Sequence, residues 1–141
     1  DPEQSYAVGP GVLGIQPIGL QREFTIQAVA EDGSLVNEGG YEMWWISLGD
    51  DDNERLGYTD NGDGTYTVEL ELEEEGDFTL VVLGGDVRLK NSPFYITTVE
   101  NGVDPYSTYA FGSGIETTTQ WVGTTASFTV QAVDFFGESL E

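Results

Sequence analysis

Two clusters of Asp and Asn side chains are the residues of this sequence best suited to binding a metal ion. Carboxylate and amide oxygens are the ligands that Ca²⁺ prefers, and Asn53 and Asn61 extend the clusters. Neither cluster has the EF-hand spacing, because Arg55 or Gly62 stands where a ligand is required. Asp and Asn are also favoured turn residues, so turns are the first expectation and weak calcium binding is the alternative. The calcium candidates are Asp50, Asp51, Asp52, Asp60 and Asp63.

Catalytic side chains are scarce in this chain. It contains no His and no Cys, so the commonest general base, the thiol nucleophile and the usual zinc ligands are missing. Its carboxylates fall at turns and at alternating strand positions, unlike the facing pair of a glycosidase. Gly84-Gly85 lacks the strand–loop–helix setting of a phosphate-binding loop. The sequence therefore predicts no enzymatic activity, no catalytic residue and no cofactor apart from weakly bound calcium.

Aromatic side chains are the candidates for contact with a protein partner. Trp44 and Trp45 are adjacent, so in a strand one indole faces the core and the other faces outward. An outward Trp is a favoured anchor residue at interfaces. Tyr58 belongs to a short strand that we expect at a sheet edge, and Trp121 could pack between repeats. The partner-binding candidates are thus Trp44, Trp45, Tyr58 and Trp121.

Charge excludes several classes of partner. Four basic residues accompany 26 acidic ones, which gives a formal net charge of −22. Nucleic acids and anionic membranes are disfavoured, because binding them requires Lys and Arg to neutralise phosphates. The longest apolar runs are too short to span a membrane. We predict contacts with neighbouring repeats of the same chain, with copies of the chain, or with an extended peptide, and no membrane insertion.

The sequence repeats itself after about 103 residues. Asp1-Pro2 recurs as Asp104-Pro105 at an offset of 103, and Phe24–Val29 recurs as Phe128–Val133 at an offset of 104. One inserted residue reconciles the two offsets. We therefore predict a complete repeat at 1–99, a short linker at 100–103, and the first strands of a truncated second repeat at 104–141. So short a linker predicts consecutive repeats that sit close together.

Strand patterns dominate the complete repeat. Tyr66, Val68, Leu70 and Leu72 alternate with polar residues, which is typical of a strand with one buried face. An opening strand is expected at Ser5–Val8, and a second strand is expected to begin at Phe24. No segment has the 3.6-residue period of an amphipathic helix, and about seven strands separated by tight turns predict an all-β, antiparallel immunoglobulin-like sandwich. The remaining expected strands are Tyr41–Leu48, Glu54–Tyr58, Phe78–Leu83 and Phe94–Val99.

Several of these pieces resemble the repeats of filamins. They are Tyr6–Gly11, the strand Phe24-Thr25-Ile26, the turn Asp60–Tyr66, the corner Glu75–Phe78 and Ser92-Pro93-Phe94, in that order along the chain. The resemblance covers residues 1–99 and returns in the first strands of the second copy. It implies a filamin-type sandwich strung in tandem along a rod, and it implies that a partner peptide could add beside the third and fourth strands, along Tyr41–Leu48 and Glu54–Tyr58. Met43-Trp44-Trp45 and the acidic loop at 50–52 depart from the family pattern.

The resulting functional prediction is a structural repeat of a rod-like or filamentous protein, which provides spacing, mechanical continuity and protein–protein contacts. The alternative is a surface module that binds a peptide by strand addition, or calcium through its acidic loops. The resemblance favours the cytoskeleton, while the acidity and missing thiols suit an extracellular filament equally well, so the sequence leaves the location open.

Overall fold

The computed structural model describes residues 1–41, 43–49, 54–100, 102–115, 122–123 and 125–141. They divide into two compact units, Asp1–Glu100 and Asn101–Glu141. The described part of each unit is built from strands and turns, with one short 3-10 helix in the first. In the described part of the chain, no helix is long and apolar enough to cross a membrane. The predicted all-β class is confirmed.

The first unit contains two sheets, and the first of them is wholly antiparallel. Its central strands are β3 and β7, which pair along their full length from Arg22 opposite Leu70 to Gln27 opposite Thr65. β1 lies outside β3 and β6 lies outside β7. In sheet order the strands are β1 (Tyr6–Val8), β3 (Arg22–Gln27), β7 (Thr65–Leu70) and β6 (Thr59–Asp60).

The second sheet has β8 at its centre. β4 pairs with one edge of β8. β10 and the short β9 also pair with β8. β5 follows β4 at one end of the sheet, and β2 pairs parallel with β10 at the other. The strands are β2 (Ile15–Pro17), β10 (Phe94–Val99), β8 (Asp77–Gly84), β4 (Trp44–Leu48), β5 (Arg55–Leu56) and β9 (Val87–Arg88).

Three short segments raise the number of strands among the described residues of the first unit from the expected seven to ten. The opening segment crosses from one sheet to the other, because the 3-10 helix Pro10–Val12 separates β1 from β2. The segment expected at Glu54–Tyr58 contains only β5, and β6 follows it at Thr59–Asp60 in the other sheet. β9 extends the turn after β8. The sandwich is therefore as predicted, while its edges are more divided.

One core fills the space between the two sheets. Inward side chains from β3 and β7 meet those of β4, β8 and β10, and Trp44 and Tyr66 are the largest of the fully buried residues. Burying a side chain of the size of Leu or Phe contributes about 1.5–3 kcal/mol. The core consists chiefly of Phe24, Ile26, Trp44, Ile46, Tyr66, Val68, Leu70, Leu80, Val82, Leu89 and Ile96.

The hairpin between β6 and β7 requires glycine at its last turn position. Gly64 has a φ of +85°, which favours glycine because a side chain would crowd the backbone. A Cβ atom there would overlap the carbonyl group of Val36. The Gly64 carbonyl accepts the Ala28 N–H at 2.9 Å, so this tight turn also anchors the chain beyond β3.

An asparagine side chain closes the outer edge of β1. Asn91 Nδ2 donates to the Ala7 carbonyl at 2.7 Å, and Asn91 Oδ1 accepts the Ala7 N–H at 3.0 Å. This side chain therefore satisfies two backbone groups that point away from β3, as a neighbouring strand would. The contact links β1 to the loop between β9 and β10.

The second unit contains a strand pair with the same register as β1 and β3. β11 (Tyr109–Phe111) and β12 (Thr129–Gln131) pair with Ala110 opposite Val130, and Ala7 stands opposite Ile26 in the first unit. The residues differ in burial. Phe128 and Val130 are 54% and 60% exposed, whereas their counterparts Phe24 and Ile26 are covered by the second sheet.

Candidate partner-binding site

A column of aromatic rings positions the candidate site at the β4–β5 end of the sandwich. Trp44 contacts Tyr41 and Tyr66 with ring-centroid distances of 4.9 Å and 5.6 Å, and Tyr58 meets Tyr66 edge-on at 5.7 Å. Trp44 is 1% exposed and Tyr58 packs against the core as a partly buried residue. Of the predicted partner-binding residues, Trp44 thus serves the core and Tyr58 lies at its margin.

The hydroxyl of Tyr66 sits within this column. Burial raises the pKa of Tyr66 above the ordinary value, and the Tyr41 N–H that its oxygen accepts at 3.1 Å partly opposes that shift. The hydroxyl therefore stays neutral at physiological pH. Its bond to Tyr41 holds the segment that precedes β4 against the core.

Trp45 is the outward-facing member of the adjacent Trp pair. It is 38% exposed, and the guanidinium carbon of Arg55 lies 4.2 Å from the centroid of its ring. Cation–π contacts of this kind are worth about 0.5–1 kcal/mol at exposed sites. The pair forms a flat, partly apolar and positively charged surface at the margin of a strongly acidic molecule.

The predicted groove beside the third and fourth strands is partly filled by the chain itself. β5 pairs with β4, with Leu56 opposite Ile46 and Arg55 opposite Ser47, so this stretch of β4 is closed to a peptide. Among the described residues no strand pairs with the outer edge of β5. An open groove of about 340 Å³ lies there, lined by residues 55–58, and this is where an extended peptide would find unpaired backbone groups.

The described acidic turn, at residues 60–65, is stabilised by hydrogen bonds that its carboxylates accept. Asp60 accepts the N–H groups of Gly40 at 2.6 Å and Gly62 at 2.8 Å. Asp63 accepts the hydroxyl and the N–H of Thr65, and chiefly the hydroxyl lowers the pKa of this exposed carboxyl group. Both Asp residues thus act as turn formers.

Calcium binding stays a prediction. In the part of the chain that the structure describes, no group of three or more acidic residues is arranged to hold a metal ion. Asp50, Asp51 and Asp52 lie outside the described residues, and so does Trp121. Titration with Ca²⁺ to millimolar concentrations, followed by Trp fluorescence and thermal unfolding, tests the prediction directly.

Sequence reasoning missed the contribution of Arg55 to this site. The register of the β4–β5 hairpin would have revealed it. In that register the numbers of two paired residues sum to 102, as those of Ile46 and Leu56 do. That sum places Arg55 opposite Ser47, diagonal to Trp45 and on the same face of the sheet. Without a structure, the end of β4 and the length of the acidic loop were both unknown.

Comparison with known proteins agrees with this geometry. A family model that describes the Filamin/ABP280 repeat matches residues 1–95. The chain belongs to the filamin repeat family. Filamin-C of Rattus norvegicus and of Mus musculus are each 38% identical to it over 109 residues, which is 77% of this chain and 4% of theirs. Filamin-A of Drosophila melanogaster is 30% identical over 120 residues, 82% of this chain and 5% of that protein.

Solved structures share the fold at low sequence identity. The filamin domain of Lin-41 superposes with a TM-score of 0.59 at 16% identity, over 70% of this chain and 95% of that chain. FdeC, an Escherichia coli adhesin, gives a TM-score of 0.54 at 18% identity, over 97% of this chain and 42% of that chain. Filamin repeats form a structural family whose members mediate protein–protein contacts in multidomain chains. This chain spans a small fraction of the length of its filamin relatives.

Proposed function

We propose that this filamin repeat is a spacer in a rod-like or filamentous protein, which sets the distance between neighbouring modules and carries tension between them. The observation that carries the proposal is the single core that joins both sheets of the first unit, from Phe24 on β3 to Ile96 on β10. Such a core yields cooperatively, as small single domains do, so the unit keeps its length until it unfolds as a whole.

The second unit supports an arrangement in tandem. It repeats the β1–β3 pairing with similar residues in the same register, and Gly112 has the φ of +126° that Gly9 has at the equivalent position. The partners of the spacer are therefore adjacent repeats or further copies of the same module. Its acidic surface favours solubility of the modules.

Stretching the chain between its two ends tests the spacer function. The 141-residue protein is held by handles at Asp1 and Glu141 in optical tweezers, and its extension is recorded as the force increases. We expect one abrupt lengthening when the first unit unfolds. Its upper limit is the extended length of that unit, about 330 Å at roughly 3.3 Å per residue, less the distance between the two ends of the folded unit. Gradual lengthening without such a step would refute the proposal, because the unit would then behave as an unfolded linker.

Strand addition at β5 is the second candidate function. It is favoured by one observation, the open groove along residues 55–58 at an unpaired strand edge. A peptide that alternates apolar and basic residues would supply backbone bonds to the edge and charges that suit an acidic host. This function differs from spacing, because it predicts saturable binding to one side of the sandwich.

Titration with a synthetic peptide of alternating Val and Lys, followed by amide NMR shifts, distinguishes the two functions. Strand addition predicts saturable shifts at Arg55, Leu56 and Gly57, and no shifts with the same peptide N-methylated at alternate backbone amides. Equal shifts with both peptides, or shifts spread over the acidic surface, would exclude strand addition and leave the spacer function untouched.

A further inference from the structure

The outer face of the second sheet collects basic and aromatic side chains. Trp45 stands opposite Leu83, and Leu83 stands opposite Arg88 on its other side. Residues directly opposite each other across antiparallel strands share a face of the sheet, so these three form one row. Arg55 covers the Trp45 ring from the neighbouring strand, and Tyr95, opposite Thr79, continues the same face. We call this set the Trp45 face; it consists of Trp45, Arg55, Leu83, Arg88 and Tyr95.

This face differs in charge from the rest of the molecule. The chain has only four basic residues, and two of them, Arg55 and Arg88, belong to the Trp45 face. Tyr95 is 73% exposed and Trp45 is 38% exposed. Trp, Tyr and Arg are the side chains that most often dominate the binding energy of protein interfaces. In a protein of net charge −22, such a combination on one sheet face indicates an interaction surface.

The opposite side of the sandwich has the complementary character. On the outer face of the first sheet, Glu23 stands opposite Glu69 and Thr25 stands opposite Thr67, with Val8 beside Thr25. We call this set the Glu23 face; it consists of Val8, Glu23, Thr25, Thr67 and Glu69. Like charges directly opposite each other on a sheet are destabilising. Arg22 lines the same groove as the two carboxylates, and further cations from a partner would be favoured there.

We propose that the Trp45 face of one copy of this repeat docks on the Glu23 face of another. Arg55 and Arg88 would pair with Glu23 and Glu69 of the second copy, while Trp45 would pack over its small Thr and Val side chains. Arg suits this role, because its planar guanidinium can bind a carboxylate through two parallel hydrogen bonds while it stacks on an aromatic ring.

The overall negative charge does not prevent such contact. At 0.15 M salt, charges separated by more than about 8 Å are largely screened, so the paired side chains at the interface decide the outcome. Because the two faces are different surfaces, the contact is heterologous and each docked copy leaves one face free for the next. The inference goes beyond the spacer function, since a spacer that never pairs laterally would still be a spacer.

Charge reversal followed by mixing tests the proposal on the complete 141-residue chain. One double variant carries Arg55→Glu and Arg88→Glu, which makes both faces acidic. The other carries Glu23→Arg and Glu69→Arg, which makes both faces basic. Sedimentation velocity at 0.15 M NaCl compares each variant, their equimolar mixture and the wild type over a range of protein concentrations. Thermal unfolding of each variant verifies that the sandwich remains folded.

We expect the wild type to associate reversibly, each variant alone to associate at least about tenfold more weakly, and the mixture to recover association. The single variants Arg88→Glu and Lys90→Glu provide a matched pair, because they change net charge equally and only Arg88 lies on the Trp45 face. A wild type that stays monomeric would overturn the proposal. So would variants that associate like the wild type, or a mixture that fails to recover. The second unit is identical in every sample, so association through it cannot produce the expected pattern.

Discussion

Replacement of Asn91 by Ala should destabilise the first unit although Asn91 itself is exposed. The change removes both hydrogen bonds that its side chain makes to Ala7. At about 0.5–1.5 kcal/mol for each bond, we expect a loss of about 2 kcal/mol in the free energy of unfolding. With a denaturant slope of about 2 kcal/mol/M, the urea midpoint should fall by about 1 M. Equilibrium urea unfolding followed by Trp fluorescence measures this shift.

Asn61→Ala is the matched control. The side-chain amide of Asn61 also forms hydrogen bonds, with the hydroxyls of Thr65 and Thr67, but these are exposed and water can replace them. Its loss should stay within about 0.5 kcal/mol. If the urea midpoints of Asn91→Ala and Asn61→Ala fall by the same amount, then Asn91 does not act as a substitute strand and the reasoning is refuted.

Asn91→Asp separates the two bonds by pH. The carboxylate can still accept the Ala7 N–H, but it can no longer donate to the Ala7 carbonyl and repels it instead. The pKa of the new carboxyl group in the folded state should therefore lie above its value in the unfolded state. The stability that it contributes is then present at low pH and lost as the pH rises through the folded pKa, so the deficit relative to wild type should be smaller at pH 4 than at pH 7. A deficit independent of pH would contradict this assignment.

Further predictions concern a turn, a carboxyl group and the core. Gly64→Ala should destabilise the unit more than Gly62→Ala, because both residues have φ near +80° but only Gly64 would place a Cβ atom inside a neighbouring carbonyl; equal urea midpoints would contradict this. Thr65→Val should raise the pKa of Asp63 toward its ordinary value, measured by NMR titration, because it removes the hydroxyl bond that lowers it. Since that pKa is lowered in the fold, the stability gained from Asp63 is present above its unfolded pKa and lost as the pH falls through the folded one. Leu80→Ala should cost about 2–5 kcal/mol, and a loss below 1 kcal/mol in urea unfolding would mean that the core is not packed as described.

Sequence patterns predict those strands in which apolar and polar residues alternate along the strand itself. β7 is the clearest case, since Tyr66, Val68 and Leu70 alternate with polar residues and all three are buried. By contrast, β2 at Ile15–Pro17 has no alternation of its own and exists because β10 pairs with it. A two-residue strand such as β5 has no period at all.

The candidate site could be predicted only in part, for a related reason. The adjacency of Trp44 and Trp45 predicts that one ring is buried and the other is not, but the choice between them depends on which sheet covers β4. Asn91 reaches a partner 84 positions away in the sequence, and no local pattern specifies such a contact. The Trp45 face likewise depends on the pairing of β9 with β8.

The parallel pairing of β2 and β10 determines how the first unit responds to tension. β2 belongs to the opening segment and β10 ends the unit, with Ile15 opposite Thr97 and Pro17 opposite Val99. In a parallel pair, pulling one strand by its amino end and the other by its carboxyl end slides them in opposite directions. Every hydrogen bond between them then bears the load at once, whereas an antiparallel hairpin pulled at its open end loses its bonds one at a time. Tension between the two ends of the unit must therefore shear this pair before the core can open.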